Sequence, residues 1–130
     1  MQPNEPDPVK LFIGILYSDE ERLERVLDIC EQEYGPIDCR SERFPFEVTD
    51  YYEEEMGSPI HRYFVSFAQL VNPGRLAAIK IRCNGIEDQV AVDGNRRVNL
   101  DVGYMDFHKV VRASAKFNGQ NIYLDRRIYA

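Results

Sequence analysis

The segment from Val9 to Pro36 does most to fix what this chain can fold into. Val9–Tyr17 is a nearly continuous apolar run, the pattern of a central strand covered on both faces. It gives way at once to Ser18-Asp19-Glu20-Glu21. That reads as a capping box with Ser18 as N-cap and Glu21 three residues on, while Asp19 and Glu20 suit the positive end of a helix. Leu23, Val26, Leu27, Cys30 and Tyr34 then recur at helical spacing. Gly35-Pro36 ends the run, glycine releasing the backbone and proline preventing continuation.

The rest of the chain is read around that strand-helix unit. Ile37–Phe46 is extended with a kink at Phe44-Pro45-Phe46, and its imperfect alternation suits an edge strand. Thr49 and Asp50 can cap a short helical turn through Tyr51, Tyr52 and Glu53–Glu55, stopped by Gly57. Ile60–Leu70 alternates, with Arg62, Phe64 and Ser66 facing one way and His61, Tyr63, Val65 and Phe67 the other. Asn72-Pro73 is a cap followed by an N1 proline. Leu76, Ile79, Cys83, Ile86 and Val90 then form one helical stripe. Asp93-Gly94-Asn95 is a turn and Arg96–Asp101 a short strand. Asp106 is expected to cap a third helix through Lys116, packed through Phe107, Val110, Val111 and Ser114 and broken by Asn118-Gly119. Ile122–Leu124 and Ile128–Ala130 suit the arms of a hairpin over Asp125-Arg126-Arg127.

The order β-α-β-β-α-β-α-β-β predicts an α+β fold. The expected architecture is an antiparallel or mixed sheet backed by two to three helices. Its first six elements form a ferredoxin-like βαββαβ core, followed by a C-terminal helix and hairpin. Residues 1–8, with three prolines, read as a flexible lead, and 9–130 as a single domain. The ending inside an apolar strand at Tyr129-Ala130 predicts a C-terminal segment missing from this chain.

Composition narrows the partners. The net charge of −6 argues against a general polyanion binder and so against nucleic acid. It hides a split: residues 1–57 carry −11 and residues 58–130 carry +5. Twelve of the sixteen bases are Arg, which can bind planar anions bidentately. The apolar run Leu11–Tyr17 is far short of the ~20 residues of a membrane helix. The acidic start is unlike a secretory signal, so no membrane partner and a cytoplasmic location are expected. Cys30, Cys39 and Cys83 are widely spaced with no Cys-x-x-Cys pair, fitting neither a disulfide scaffold nor a zinc site.

Phe44-Pro45-Phe46, Thr49-Asp50-Tyr51-Tyr52, Glu55-Met56-Gly57, Arg97-Val98-Asn99-Leu100-Asp101, Gly103-Tyr104 and Ile122-Tyr123-Leu124 occur in that order. Together they resemble a bacterial and archaeal family of small proteins without assigned function, over about Pro8 to Ala130. The resemblance implies a fold but no reaction. Two features depart from the family pattern. Val102 stands where the family has proline before the Gly-Tyr step. The family's further strand and aromatic Trp-Thr-Tyr-Pro-Asp-Tyr segment are absent. Some relatives carry a GTP-binding label, yet no Gly-x-x-x-x-Gly-Lys-Ser/Thr loop occurs here.

The best candidate site joins Arg97, Asn99, Asp101 and Tyr104. At i, i+2, i+4 on a strand, the first three share one face, with Val98 and Leu100 opposite. An Arg, an amide and a carboxylate so aligned could hold a phosphate or carboxylate, with Asp101 as acid or base or as a Mg²⁺ ligand. The bland alternative is a solvated face with a weak Arg97–Asp101 ion pair. Asp50 is a second catalytic candidate, Tyr51 and Arg62 further ligand contacts, and Arg96 and Lys80 extra charge. The carboxylates Glu47, Asp50 and Glu53–Glu55 have no spacing that singles out a metal site, and His61 and His108 form no metal motif. The sequence identifies no particular cofactor.

Two functions compete. One is binding, with or without turnover, of a small anionic metabolite or nucleotide. The other is self-association or protein interaction through Tyr51, Tyr52, Tyr123 and Tyr129, guided by complementary halves. Convergence of Asp50, Arg97, Asn99 and Asp101 on one concavity would favour the first.

Overall fold

The computed structural model describes residues 1–130. The apolar run becomes β1 (Lys10–Tyr17), flanked by antiparallel β4 (His61–Phe67) on one side and β5 (Val98–Met105) on the other. Such a strand has water on neither edge, and its outward residues Phe12, Gly14 and Leu16 are apolar or small as well, which is why it reads as continuous rather than alternating. β2 (Ile37–Arg40) and β3 (Phe44–Pro45) both pair with the outer edge of β4. β6 (Val110–Arg112) pairs with β5, so the sheet runs β2-β4-β1-β5-β6 and every pairing is antiparallel. β7 (Tyr123–Asp125) and β8 (Ile128–Tyr129) form the expected hairpin.

One face of the sheet is dry. Leu11, Ile13, Ile15 and Tyr17 of β1 point into it beside Tyr63, Val65 and Phe67 of β4 and Val98, Leu100 and Val102 of β5. Two helices close it: α1 (Glu20–Tyr34) and α3 (Leu76–Gln89). The predicted stripes, Leu23, Val26, Leu27, Cys30 and Tyr34 on one and Leu76, Ile79, Cys83, Ile86 and Val90 on the other, are all buried there. Each fully buried aliphatic side chain contributes about 1.5–3 kcal/mol. Cys30 and Cys83 are free thiols in this core, and burial pushes the Cys30 thiol up to about 12, so both act as small hydrophobes. No helix is long and apolar enough to cross a membrane.

The opposite face is covered only at one end. Leu16 points outward and meets Met56 and Ile60 in a separate three-residue cluster. The chain between β3 and β4 folds over it, carrying the single-turn α2 (Glu53–Met56), with Phe46 and Tyr52 packed alongside. Gly57 stops that turn at φ +82°, as Gly35 stops α1 at +90°.

Two expectations need correction. The segment Asp106–Lys116 is not a helix. Asp106 Oδ1 accepts from the backbone N–H of His108 and Lys109 at 2.7 and 2.9 Å, closing a turn rather than starting a helix. The β-branched pair Val110-Val111 then lies down beside β5 as β6, against Met105 and Tyr104. At α1 the N-cap is Asp19, whose side chain accepts from Arg22 N at 3.1 Å. Ser18 is drawn away, its hydroxyl donating to Met56 O at 2.5 Å to tie the α2 turn to the sheet.

The acidic and basic halves of the sequence do not form two lobes. β1, from the acidic half, lies between β4 and β5 of the basic half. Arg82–Glu33 and Arg96–Glu55 pair across the divide at 2.6 and 2.8 Å.

Candidate functional site

The site begins with an unfinished strand edge. β6 covers β5 only from Gly103 to Met105, and one further bond, Ala113 N to Val102 O, extends the cover by a residue pair. The peptide groups of Leu100 would therefore be bare, at a cost comparable to a lost hydrogen bond each. Two side chains of α3 take the place of a strand. Glu87 Oε2 accepts from Leu100 N at 2.6 Å, and Lys80 Nζ donates to Leu100 O at 2.9 Å. Seven residues apart, they lie two turns along the same helix face. Only 5% and 7% exposed, they are the most deeply buried charges in the molecule.

A second layer of hydrogen bonds builds outward. Arg96 grips Glu55 with Nε and Nη2 at 2.8 and 2.9 Å, and its backbone N–H reaches the same carboxylate. Its Nη1 donates to Asn99 Oδ1 at 2.7 Å and lies 3.5 Å from Glu87 Oε1. With its oxygen occupied, Asn99 turns its amide nitrogen to Asp101 Oδ2 at 3.3 Å. Arg96 holds the Glu55 carboxyl below its ordinary range, and burial pushes the Glu87 carboxyl up.

Above this layer opens a cleft of about 340 Å³. Phe46, Tyr51 and Tyr52 form one lip, contributed by the segment over the outer face. Arg112–Lys116, the end of β6 and the residues after it, forms the other, and Asn99 and Asp101 lie between. Five cationic side chains line the cleft against two carboxylates, in a protein of net charge −6. Of the cations only Arg96 has an ion-pair partner, and Lys80 is spent on Leu100 O, so Arg62, Arg112 and Lys116 are left with neither an ion pair nor a hydrogen bond. The Arg62 guanidinium lies over the rings of Phe46 and Phe64 at 5.3 and 5.5 Å, and Lys116 Nζ is 5.7 Å from the Tyr51 ring centroid.

Of the residues expected from sequence, Tyr51, Arg62, Asn99 and Asp101 meet in this cleft. Arg97, Asp50 and Tyr104 do not line it. Arg97 makes no ion pair with Asp101. It donates instead to Glu55 O at 2.8 Å, fastening the α2 turn. Asp50 is exposed beside Tyr51, its carbonyl accepting from Glu53 N. Tyr104 has the strand parity of Leu100 and Val102, opposite to Asn99 and Asp101, and packs against the core. It lines a different groove, of about 660 Å³, beside Pro8 and Met105. The four-residue convergence is thus half met.

Glu87, Arg112 and Lys116 escaped the sequence reading, and Glu55 stood there only as one of a run of carboxylates. Glu87 left one signal: a charge opposite to Lys80, two turns away and flanking the apolar stripe. Arg112 and Lys116 left none, because their segment reads as a helix and lies in the structure as a strand and loop.

Comparison with known proteins gives a family and nothing finer. No curated protein and no solved structure matches the chain. A family model described as "Domain of unknown function (DUF4416)" matches residues 7–130. The chain therefore belongs to the DUF4416 family.

Proposed function

We propose that this protein binds a small anionic metabolite or nucleotide in the cleft between the aromatic lip and the segment after β6. One observation carries the reading. Arg62 of β4 and, on the opposite lip, Arg112 and Lys116 face one concavity and have no carboxylate partner. Cations left unpaired in an acidic protein are available to an external anion, and Arg binds phosphate or carboxylate bidentately. Tyr51 and Tyr52 offer ring faces and edges to an aromatic or sugar moiety. Turnover in this cleft would use Asp101, the lining carboxylate not engaged by an arginine, as acid or base.

The test is a thermal-shift screen of nucleotides, phosphorylated metabolites and inorganic pyrophosphate, with and without Mg²⁺, followed by titration calorimetry. Binding that weakens about tenfold or more in Arg62→Ala and again in Arg112→Ala supports the reading. No protection by any phosphate compound overturns it.

We infer further that the fold is ferredoxin-like. The βαββαβ run, its strand order β2-β4-β1-β5 and the two long helices on one face support this. A cytoplasmic setting fits the three free cysteines.

Self-association is a second reading, favoured by a separate observation. Phe117, Ile122 and Tyr123, in and before the C-terminal hairpin, are 72%, 70% and 58% exposed. Apolar side chains clustered on a surface suit an interface core. Light scattering should then report a dimer, and a monomer unchanged across salt and protein concentration removes the idea.

A further inference from the structure

The cations account for an anion, and Asp101 does not. A carboxylate beside five cationic groups weakens the hold on any plain anion, so its presence in the lining needs a reason. Its surroundings do not supply one. Asp101 forms no ion pair, and its one side-chain hydrogen bond within the protein comes from Asn99 at 3.3 Å, to Oδ2. Glu87, the other lining carboxylate, is spent on Leu100 N and Arg96.

Asp101 is also oriented from behind. Arg96 is fixed by both oxygens of Glu55, and its Nη1 claims the oxygen of Asn99. That contact decides which way the Asn99 amide faces, so its NH2 group points at Asp101 Oδ2. The relay Glu55–Arg96–Asn99 engages one carboxylate oxygen and leaves the other as a free acceptor on a half-buried residue of the cleft.

A free acceptor in a binding cleft calls for a donor on the ligand. An ammonium group would enter a field set by five cations and two carboxylates and be repelled. A hydroxyl is neutral and still donates a short, charge-assisted hydrogen bond to a carboxylate. We propose that Asp101 selects, among anions, a phosphate ester that carries sugar hydroxyls: a ribonucleotide or a sugar phosphate. This rests on the anion-binding reading above and narrows it. The phosphate sits with Arg62, Arg112 and Lys116, and a hydroxyl or vicinal diol sits on Asp101.

Titration calorimetry on the whole chain tests this with matched probes: adenosine 5′-monophosphate, its 2′,3′-dideoxy analogue, ribose 5-phosphate and inorganic pyrophosphate. The dideoxy analogue should bind the wild type about tenfold or more weakly than the ribonucleotide, because a site built around a hydroxyl is left with an unpaired group. In Asp101→Ala that gap should close. The methyl group neither accepts from nor donates to a sugar hydroxyl, while pyrophosphate binding would hold or strengthen as a negative charge is removed. Ribose 5-phosphate binding as tightly as the ribonucleotide assigns the diol to a sugar phosphate, and weaker binding assigns it to a nucleotide. Equal affinity for the two nucleotides in the wild type overturns the role of Asp101, and needs no variant to fold. A gap that persists in a folded Asp101→Ala overturns it too. Pyrophosphate binding without hydroxyl preference leaves anion binding standing alone, whereas silence from all four probes removes both readings.

Discussion

The two halves of β5 are finished in different ways. From Gly103 to Met105 the outer edge is closed by backbone, with β6 donating and accepting in register. At Leu100 it is closed by an ammonium and a carboxylate from α3. A strand partner brings neutral peptide groups that need no compensation. A Lys and a Glu bring charges that must be buried and balanced, and the Arg96 network supplies part of that balance. The backbone-closed half only completes a sheet. The side-chain-closed half also leaves open space and polar groups beside it, and the cleft lies there.

The sharpest way to break this contrast is at Glu87. In Glu87→Ala, Leu100 N–H loses its acceptor and the buried Lys80 ammonium loses its counter-charge. Removing one member of a buried charge set costs about 3–5 kcal/mol. Urea unfolding should show that loss, and Glu87→Gln, which keeps an acceptor for Leu100 N–H, should lose clearly less. Equal small losses in both variants would mean that the edge is not held by Glu87.

The backbone-closed half is vulnerable to volume instead. A Cβ at Gly103 would stand 2.5 Å from Val111 O and 2.7 Å from the Phe12 ring. Phe12 can swing away, but the Val111 carbonyl belongs to the β6 ladder. Gly103→Ala should therefore cost about 1–3 kcal/mol by overpacking. Gly57→Ala meets nothing within 4 Å and is penalised only through its positive φ. Comparing the two by thermal unfolding separates crowding from backbone strain.

The same division explains what the sequence made legible. Stripes and alternation record burial, and they located β1, α1, β4, α3 and the parity of β5, with Asn99 and Asp101 on the face opposite Leu100. They carry no record of which edge groups a side chain will satisfy. Glu87 is buried for the sake of a peptide N–H thirteen residues away, and no periodicity reports that. Asp106 and the spacing of Phe107, Val110 and Val111 looked helical because three residues at steps of 3 and 1 fit a helix face as well as a turn and short strand. The neighbouring edge of β5 chose the strand. Arg112 and Lys116 were hidden by that misassignment, and with them two of the three cleft cations that have neither an ion pair nor a hydrogen bond.

The smallest expected effect concerns the link between the two layers of the site. Glu55 lies on the α2 turn, about a third exposed, and its grip on Arg96 holds the segment with Tyr51 and Tyr52 against the sheet. Its carboxyl is held below the ordinary value of 4.5 by Arg96. A depressed carboxyl contributes stability above its unfolded value and loses it as pH falls through the folded one. The wild type should accordingly be more stable than Glu55→Gln at neutral pH, by less than the Glu87 loss because solvent screens the pair. That difference should hold as pH falls towards 5 and shrink below about 4.5, as the wild-type carboxyl protonates and comes to resemble the amide. Melting temperatures of both proteins from pH 7 to pH 3 measure it. A difference that stays flat across the range would mean that Glu55 holds Arg96 by hydrogen bonding alone, and that the orientation passed on to Asn99 does not depend on its charge.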